Sequence, residues 1–114
     1  MIKIYHNSRC AKSRETLKIL EEKTNNFEVV DYINNPLLPS ELEQLIFNLG
    51  IDADQLLRKN EAIYKEKFKD LELDFEEIVL AMIEYPKLME RPIVVKGNKA
   101  VICRPPENIL TFFK

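Results

Sequence analysis

The sequence predicts an α/β fold in which helices pack on a mixed four-stranded sheet, with a helical insertion in the middle of the chain. Two observations carry this prediction. The N-terminal part shows a strand-like run, a one-faced helical pattern and a second strand-like run. Near the other end, the dipeptide Gly97-Asn98 separates two apolar runs, which is typical of a tight β-hairpin turn.

The first elements follow from apolar spacing. Residues 2–5 (Ile-Lys-Ile-Tyr) have the pattern of a buried strand, and residues 11–23 carry apolar side chains among charges, as a one-faced helix does. Residues 27–32 alternate well enough for a second strand. The Asn and Pro residues between positions 34 and 39 then predict a turn.

The insertion is predicted to open with a capping box. Ser40 and Glu43 have the spacing in which two side chains satisfy free N–H groups at a helix start. This helix is expected to run to Gly50, and Asp52 is a candidate cap for a further short helix.

The second half of the insertion is less regular. Residues 60–73 are charged and are expected to be helical or irregular. Asp74 and Glu77 repeat the capping pattern, and the helix that they open is expected to end before Pro86.

The C-terminal part is predicted to hold the hairpin, over residues 93–103, and a final helix. Pro105 and Pro106 start this helix, because proline is tolerated in a first helical turn. Four apolar side chains are expected to pack it down: Ile109, Leu110, Phe112 and Phe113.

This order of elements suggests a thioredoxin-like fold. The 114 residues fit one domain, with residues 1–35 and 91–114 as the core and residues from about 38 to 90 as the insertion. A likeness of fold does not by itself give a function, so function has to be argued from particular residues.

Composition argues against several classes of function. The chain has 17 basic and 19 acidic residues, so no overall basic field points to nucleic acid. We expect no signal peptide, and no apolar run approaches the ~18 residues that a membrane span needs. One His and two widely separated Cys argue against a structural metal site and fit a reducing cytoplasm.

Cys10 is the most informative residue, because it lies where the first strand is followed by the first helix. A thiol at a helix start meets free backbone N–H groups and the positive end of the helix dipole. Both favour the thiolate, which is the nucleophilic form. Ser13 stands where a Cys-x-x-Cys pair would have its second cysteine, which excludes an internal dithiol cycle at this motif. The alternative is a small buried core cysteine.

Three arginines lie where the chain is predicted to change direction: Arg58, Arg91 and Arg104. Arg91 precedes Pro92, and in a thioredoxin-like sheet this segment lies beside the thiol of the first helix, with a proline that is often cis. Arginine binds tetrahedral oxyanions through a planar fork of donors. Together with the thiolate, these arginines indicate a site for a small oxyanion that sulfur attacks. Each arginine alone is more often a solvated surface residue.

Other residues are candidates for support. His6 either is a structural histidine or tunes the Cys10 thiolate electrostatically. Ser13 is expected to make a hydrogen bond to backbone. Asn7 and Pro92 are possible supporting residues beside the thiol.

Four separated motifs carry a resemblance to a known family. They are residues 5–14 (Tyr-His-Asn-Ser-Arg-Cys-Ala-Lys-Ser-Arg), 56–60 (Leu-Leu-Arg-Lys-Asn), 91–95 (Arg-Pro-Ile-Val-Val) and 103–105 (Cys-Arg-Pro). In order and spacing the chain resembles the glutaredoxin-dependent arsenate reductases of the thioredoxin-like superfamily. That family often has proline where Ser8 stands here and serine where Ala11 stands, but neither change removes a reacting group.

The resemblance implies a mechanism for arsenic detoxification. Cys10 would attack arsenate to give a covalent cysteine–arsenic adduct, with His6 helping to keep the thiol ionised. Arg58, Arg91 and Arg104 would hold the arsenate oxygens. Glutathione would be a co-substrate and glutaredoxin a protein partner, with no tightly bound cofactor. We interpret the second cysteine, Cys103, as a packed strand residue in preference to a resolving thiol.

Two alternatives remain open from sequence. One is a thiol-redox relative that acts on another substrate. The other is a transcription regulator of the same fold that binds RNA polymerase, although many such regulators carry a Cys-x-x-Cys switch and this chain has Ser13.

Overall fold

The computed structural model describes residues 1–113. These residues divide into two compact units. The sheet unit contains residues 1–35 and 91–113, and the helical unit contains residues 36–90. The elements of the sheet unit are β1 (Ile2–Tyr5), α1 (Ala11–Lys23), β2 (Phe27–Val30), β3 (Ile93–Lys96), β4 (Lys99–Ile102) and a C-terminal 3₁₀ helix (Pro106–Phe113). Those of the helical unit are α2 (Pro39–Leu49), α3 (Ala53–Leu56), α4 (Ala62–Lys67), α5 (Phe75–Glu84) and a short 3₁₀ turn (Pro86–Leu88).

The sheet has the strand order β2-β1-β3-β4 and is mixed, as predicted. β1 pairs parallel to β2, which requires a crossover, and α1 supplies it. β3 pairs antiparallel to both β1 and β4, and the β3–β4 hairpin turns at Gly97, whose φ of 64° is in the left-handed region that glycine favours. The central strands β1 and β3 carry the buried positions, and β2 and β4 form the edges.

The core of the sheet unit lies between the sheet, α1 and the C-terminal 3₁₀ helix. Ile2 and Ile4 point into it while Lys3 between them is exposed, which is the period-two alternation of a half-buried strand. Six buried side chains form the cluster: Ile2, Ile4, Leu20, Val94, Cys103 and Ile109. This packing fixes the end of β1 and the start of α1, from which the candidate site is built.

In the helical unit, α5 packs against α2 and α3 through its buried face. The predicted capping box of α5 is confirmed: the Glu77 N–H donates to Asp74 Oδ1 at 2.8 Å, and the Asp74 N–H donates to Glu77 Oε1 at 3.0 Å. Within the described residues, no helix is both long and apolar enough to cross a membrane.

The capping box predicted for α2 is wrong. The helix begins at Pro39, one residue before Ser40, and the Leu38 N–H donates to Glu41 Oε1 at 3.0 Å. Proline has no N–H to satisfy and its φ suits a first helical position, so it takes that place and the reciprocal acid becomes Glu41.

Two further boundaries differ from prediction. β2 ends at Val30, because the Asp31 carboxylate accepts the N–H groups of Ile33 and Asn34 and turns the chain. The final helix is 3₁₀, which has three residues per turn. Positions 106, 109 and 112 therefore share its inner face, and Leu110 is exposed, contrary to expectation.

The α5 cap gives a stability prediction. Replacing Asp74 with Ala removes the acceptor of the Glu77 N–H and should lower the free energy of unfolding by about 1 kcal/mol. Urea denaturation followed by circular dichroism measures this change. Asp70→Ala is the matched control, because it removes an exposed carboxylate that belongs to no helix. Equal losses in both variants would contradict the capping role.

Candidate active site

Cys10 is the N-cap residue of α1. Its backbone is extended, with φ −98° and ψ 124°, and its carbonyl accepts the Arg14 N–H at 3.0 Å, which starts the helical ladder. Its own N–H donates to the Asn7 carbonyl at 3.0 Å, so the preceding loop forms a tight turn. An N-cap side chain faces the free N–H groups of the first turn. Here the backbone N–H groups of Ser13 and Lys12 favour the negative charge of the Cys10 thiolate, although the Cys10 side chain makes no capping hydrogen bond.

The pKa of Cys10 lies below the ordinary thiol value. Partial burial raises this pKa, but the Ser13 N–H, the side chain of Arg91 and the Lys12 N–H all favour the charged form and together outweigh burial. The sulfur remains partly accessible. These are the conditions under which a cysteine is a nucleophile near neutral pH.

Two of the three predicted arginines lie at this sulfur. Arg104 Nη1 is 3.7 Å from Cys10 Sγ and donates to the Arg91 carbonyl at 3.2 Å. The Arg91 guanidinium favours the Cys10 thiolate as a donor and by its charge, and so lowers the pKa of Cys10. The expected cis bond at Arg91–Pro92 is present, and the bond between Arg104 and Pro105 is also cis. The start of β3 and the end of the hairpin thus bring two guanidiniums to one thiol.

Ser13 connects the first turn of α1 to the loop after β1. Its side chain is fully buried, and its Oγ accepts the Asn7 N–H at 3.0 Å, a bond to backbone of the kind that the sequence predicts. The same Oγ lies 2.6 Å from His6 Nδ1, a contact that the sequence reasoning missed.

His6 has a lowered pKa. Burial favours the neutral imidazole, Asp31 opposes this by attraction, and Arg14 reinforces it by repulsion. The sequence analysis did not identify Asp31 as a neighbour of His6, although the strand topology could have predicted it. Tyr5 is opposite Val30 in the parallel β1–β2 pair, so the residues that follow both strands meet at one edge of the sheet.

The loop that carries Cys10 is held by polar contacts. The Arg14 guanidinium donates to the Ser8 carbonyl at 3.0 Å, and the Arg9 N–H donates to Asn7 Oδ1 at 3.0 Å. Asn7 therefore supports the turn through its side chain, its carbonyl and its N–H.

The second cysteine has a different environment. Cys103 is fully buried in the core of the sheet unit, and burial raises its pKa to about 12. Its N–H donates to the Pro92 carbonyl at 2.9 Å. This is the packed residue that the sequence indicated. Among residues 1–113, no three His, Cys, Asp or Glu side chains are grouped so that they could hold a metal ion.

Arg58 belongs to the helical unit. The bridge between Leu57 and Met89 holds its backbone, and its N–H donates to the Leu88 carbonyl at 2.6 Å. Its side chain is 13% exposed, with Nε 3.7 Å from Glu90 Oε1. Within the part of the chain that is described, the buried Nη1 has no hydrogen-bond acceptor.

The two thiols should differ sharply in reactivity. Iodoacetamide at pH 7 is expected to alkylate Cys10 and to leave Cys103 unmodified in the folded protein, because the pKa of the first is lowered and that of the second is raised to about 12. The rate at Cys10 should rise with pH and level off below the pH at which a free cysteine does. Peptide mass spectrometry measures both sites.

Alkylation in urea, where both cysteines should react, is the control. Preferential labelling of Cys103 in the folded protein, or a Cys10 profile equal to that of a free cysteine, would contradict the electrostatics described above.

Comparison with known proteins identifies the family. The ArsC family model matches residues 5–112. An arsenate reductase of Neisseria meningitidis is 43% identical over 110 residues, which cover 95% of this chain and 94% of that protein. The Escherichia coli protein named uncharacterized protein YfgD is 49% identical over 111 residues, with 96% and 93% covered.

A solved structure of an arsenate reductase from Vibrio cholerae matches with a TM-score of 0.90 at 40% identity, covering 96% of this chain and 95% of that one. The match confirms the thioredoxin-like α/β fold predicted from the order of elements. Family model, relatives and fold agree with the four sequence motifs, and the chain belongs to the ArsC family.

Proposed function

We propose that this protein reduces arsenate to arsenite and that Cys10 is the attacking thiolate. The observation that carries the proposal is the Cys10 sulfur at the start of α1, with the guanidiniums of Arg91 and Arg104 beside it. An anionic nucleophile and an oxyanion repel each other, so a site for their reaction needs fixed positive charge at both. The names of the Neisseria and Vibrio relatives support arsenate as the oxyanion.

In the first step the Cys10 sulfur attacks As(V), an S–As bond forms, and one arsenate oxygen takes a proton and leaves as water. The oxidation state of arsenic does not change in this step. Arg91 and Arg104 bind the remaining oxygens, and their forked donors suit a tetrahedral oxyanion. The family resemblance implies Arg58 as a third arsenate ligand, and this role stays a prediction from the sequence.

The two electrons come from outside thiols. Glutathione attacks the arsenic of the adduct, forming a second S–As bond and releasing water. A glutaredoxin thiolate then attacks the glutathione sulfur, that S–As bond breaks, and its electron pair stays on arsenic as As(III). The products are a glutaredoxin–glutathione mixed disulfide and, after hydrolysis, arsenite and free Cys10. The proposal places this reaction in the reducing cytoplasm.

The buried, protonated state of Cys103 supports the dependence on thiols from other molecules. Cys103 is a fully buried thiol in the core, and its pKa of about 12 keeps it protonated. Ser13 replaces a second cysteine of the first motif. We therefore assign resolution of the adduct to glutathione and glutaredoxin.

A coupled assay tests the function. With arsenate, glutathione, glutaredoxin and glutathione reductase, the protein should oxidise NADPH in an arsenate-dependent way. Cys10→Ser should remove this activity, whereas Cys103→Ala should keep it, because the buried thiol takes no part in the reaction. No turnover by the parent protein, under conditions in which a known arsenate reductase works, would overturn the proposal. Activity of Cys10→Ser would overturn the role of the thiolate.

The arginine at the hairpin end gives a second prediction. Arg104→Gln should lower kcat/KM for arsenate by about 100- to 1000-fold, the usual effect of losing one donor that stabilises transition-state charge. Arg9→Gln is the matched control, because Arg9 is an exposed arginine of the loop that carries Cys10 and should leave kcat/KM unchanged. Thermal unfolding of both variants checks that they are folded. An equal effect of the two changes would indicate general loss of positive potential and would contradict specific binding by Arg104.

A further inference from the structure

We propose that the turn end of the β3–β4 hairpin is a second anion site, which binds a phosphomonoester that carries an aromatic group. The site is a cleft of about 380 Å³ in the sheet unit. Its lining combines two ammonium groups with an amide, a hydroxyl and an aromatic ring, from Lys96, Lys99, Asn98, Thr111 and Phe112. None of these residues belongs to the proposed arsenate site, so the inference does not rest on the proposed function.

Strand register brings the two lysines together. Lys96 and Lys99 are directly opposite each other as the last pair of the antiparallel β3–β4 ladder. Residues in this relation have their side chains on one face of the sheet, with Cβ atoms about 5 Å apart, and like charges there destabilise the pair. No carboxylate of residues 1–113 forms an ion pair with either lysine. An anion from outside the chain would therefore compensate two adjacent positive charges at once.

The lysine pair continues the core face of the sheet. Lys96 is opposite Ile2 in the antiparallel β1–β3 pair, and the Ile2 side chain is buried in the core that also contains Ile109 of the C-terminal 3₁₀ helix. The two lysines therefore lie on the face that this helix covers. Phe112 of the same helix is partly buried against the core and lines the cleft. The packing of the core thus fixes an aromatic ring beside the two charges.

The chemistry of the lining defines the class of ligand. A phosphomonoester carries about −1.5 to −2 charges at pH 7 and has three strong acceptor oxygens, which suits two ammonium groups. The Asn98 amide and the Thr111 hydroxyl add neutral donors. The Phe112 ring offers an edge or a face to an aromatic group of the ligand. The cleft has the size of a small-molecule site, which is commonly about 300 to 1,000 Å³.

The cleft is separate from the thiol site. Arg91 precedes β3 and Arg104 follows β4, whereas Lys96 and Lys99 flank the turn at the other end of the hairpin. A method that resolves single residues can therefore distinguish binding at the two places.

The test uses phenyl phosphate as the probe and the amide NMR signals of the full chain as the readout. Phenyl phosphate should shift the signals of residues 96–99 and 111–112 in a saturable way. Inorganic phosphate should bind at residues 96–99 more weakly because it lacks the ring, and benzoate should bind more weakly because it has a single charge.

Two kinds of variant test the two halves of the site. Lys96→Gln and Lys99→Gln should each raise the Kd of phenyl phosphate by about tenfold, the usual effect of losing one hydrogen bond to a charged group. Lys3→Gln is the matched control, because Lys3 is exposed and lies on the opposite face of the sheet from its buried neighbours Ile2 and Ile4.

The ring is tested by Phe112→Leu, which keeps an apolar side chain against the core. It should raise the Kd of phenyl phosphate about fivefold, through the lost aromatic contact, and leave the Kd of inorganic phosphate unchanged. Thermal unfolding checks that every variant is folded, and the lysine variants decide the outcome if Phe112→Leu is not.

Three outcomes would overturn the inference. Saturable shifts confined to residues 9–14, 91 and 104 would place the probe at the thiol site, and no saturable shift at residues 96–99 would leave the cleft without a ligand of this class. Equal effects of Lys3→Gln and Lys99→Gln would show general attraction of anions. A failed arsenate assay leaves this result unchanged, and failed binding at the hairpin turn leaves the proposed reduction of arsenate unchanged.

Discussion

The placement of one helical turn against the ends of two parallel strands is the constraint on which the site in the sheet unit depends. β1 delivers His6 and Asn7, β2 delivers Asp31, and both strands reach the same edge of the sheet because α1 crosses back between them. The buried cluster of the sheet unit fixes α1, and the free N–H groups of the first turn of α1 therefore face one position. Cys10 lies there, and its reactivity is a property of that junction more than of the residue itself.

The two cysteines show how strongly environment decides chemistry. Cys10 is partly buried, and burial alone would disfavour its thiolate, but N–H groups and a guanidinium reverse the balance. Cys103, in the core of the same unit, meets burial without such compensation, and its pKa rises to about 12. One thiol is thereby prepared for reaction and the other serves as a small apolar side chain.

Much of the fold and of the candidate site could be predicted from the sequence, because these features depend on local interactions. The strand–helix junction at Cys10, the hairpin turn at Gly97 and the α5 cap at Asp74 all have short-range signals that the structure confirms. The cap of α2 was misassigned because two capping patterns overlap and proline decides between them. The contact of His6 with Ser13 joins a loop to a helix at hydrogen-bond range, and side-chain direction at that scale depends on packing rather than on spacing.

Arg104 contacts one group whose charge stays constant and one whose charge changes during the proposed reaction. Its Nη1 bonds to the Arg91 carbonyl, a fixed backbone group, and approaches the Cys10 sulfur, whose charge changes during the proposed reaction. When the sulfur becomes part of an S–As bond it loses its negative charge and becomes a poor acceptor. The carbonyl still holds the guanidinium, so the donor is free to follow the negative charge onto an arsenic-bound oxygen without a movement of the hairpin. Arg104 Nη1 would thus bind whichever atom carries the negative charge at each stage, while its bond to the Arg91 carbonyl stays in place.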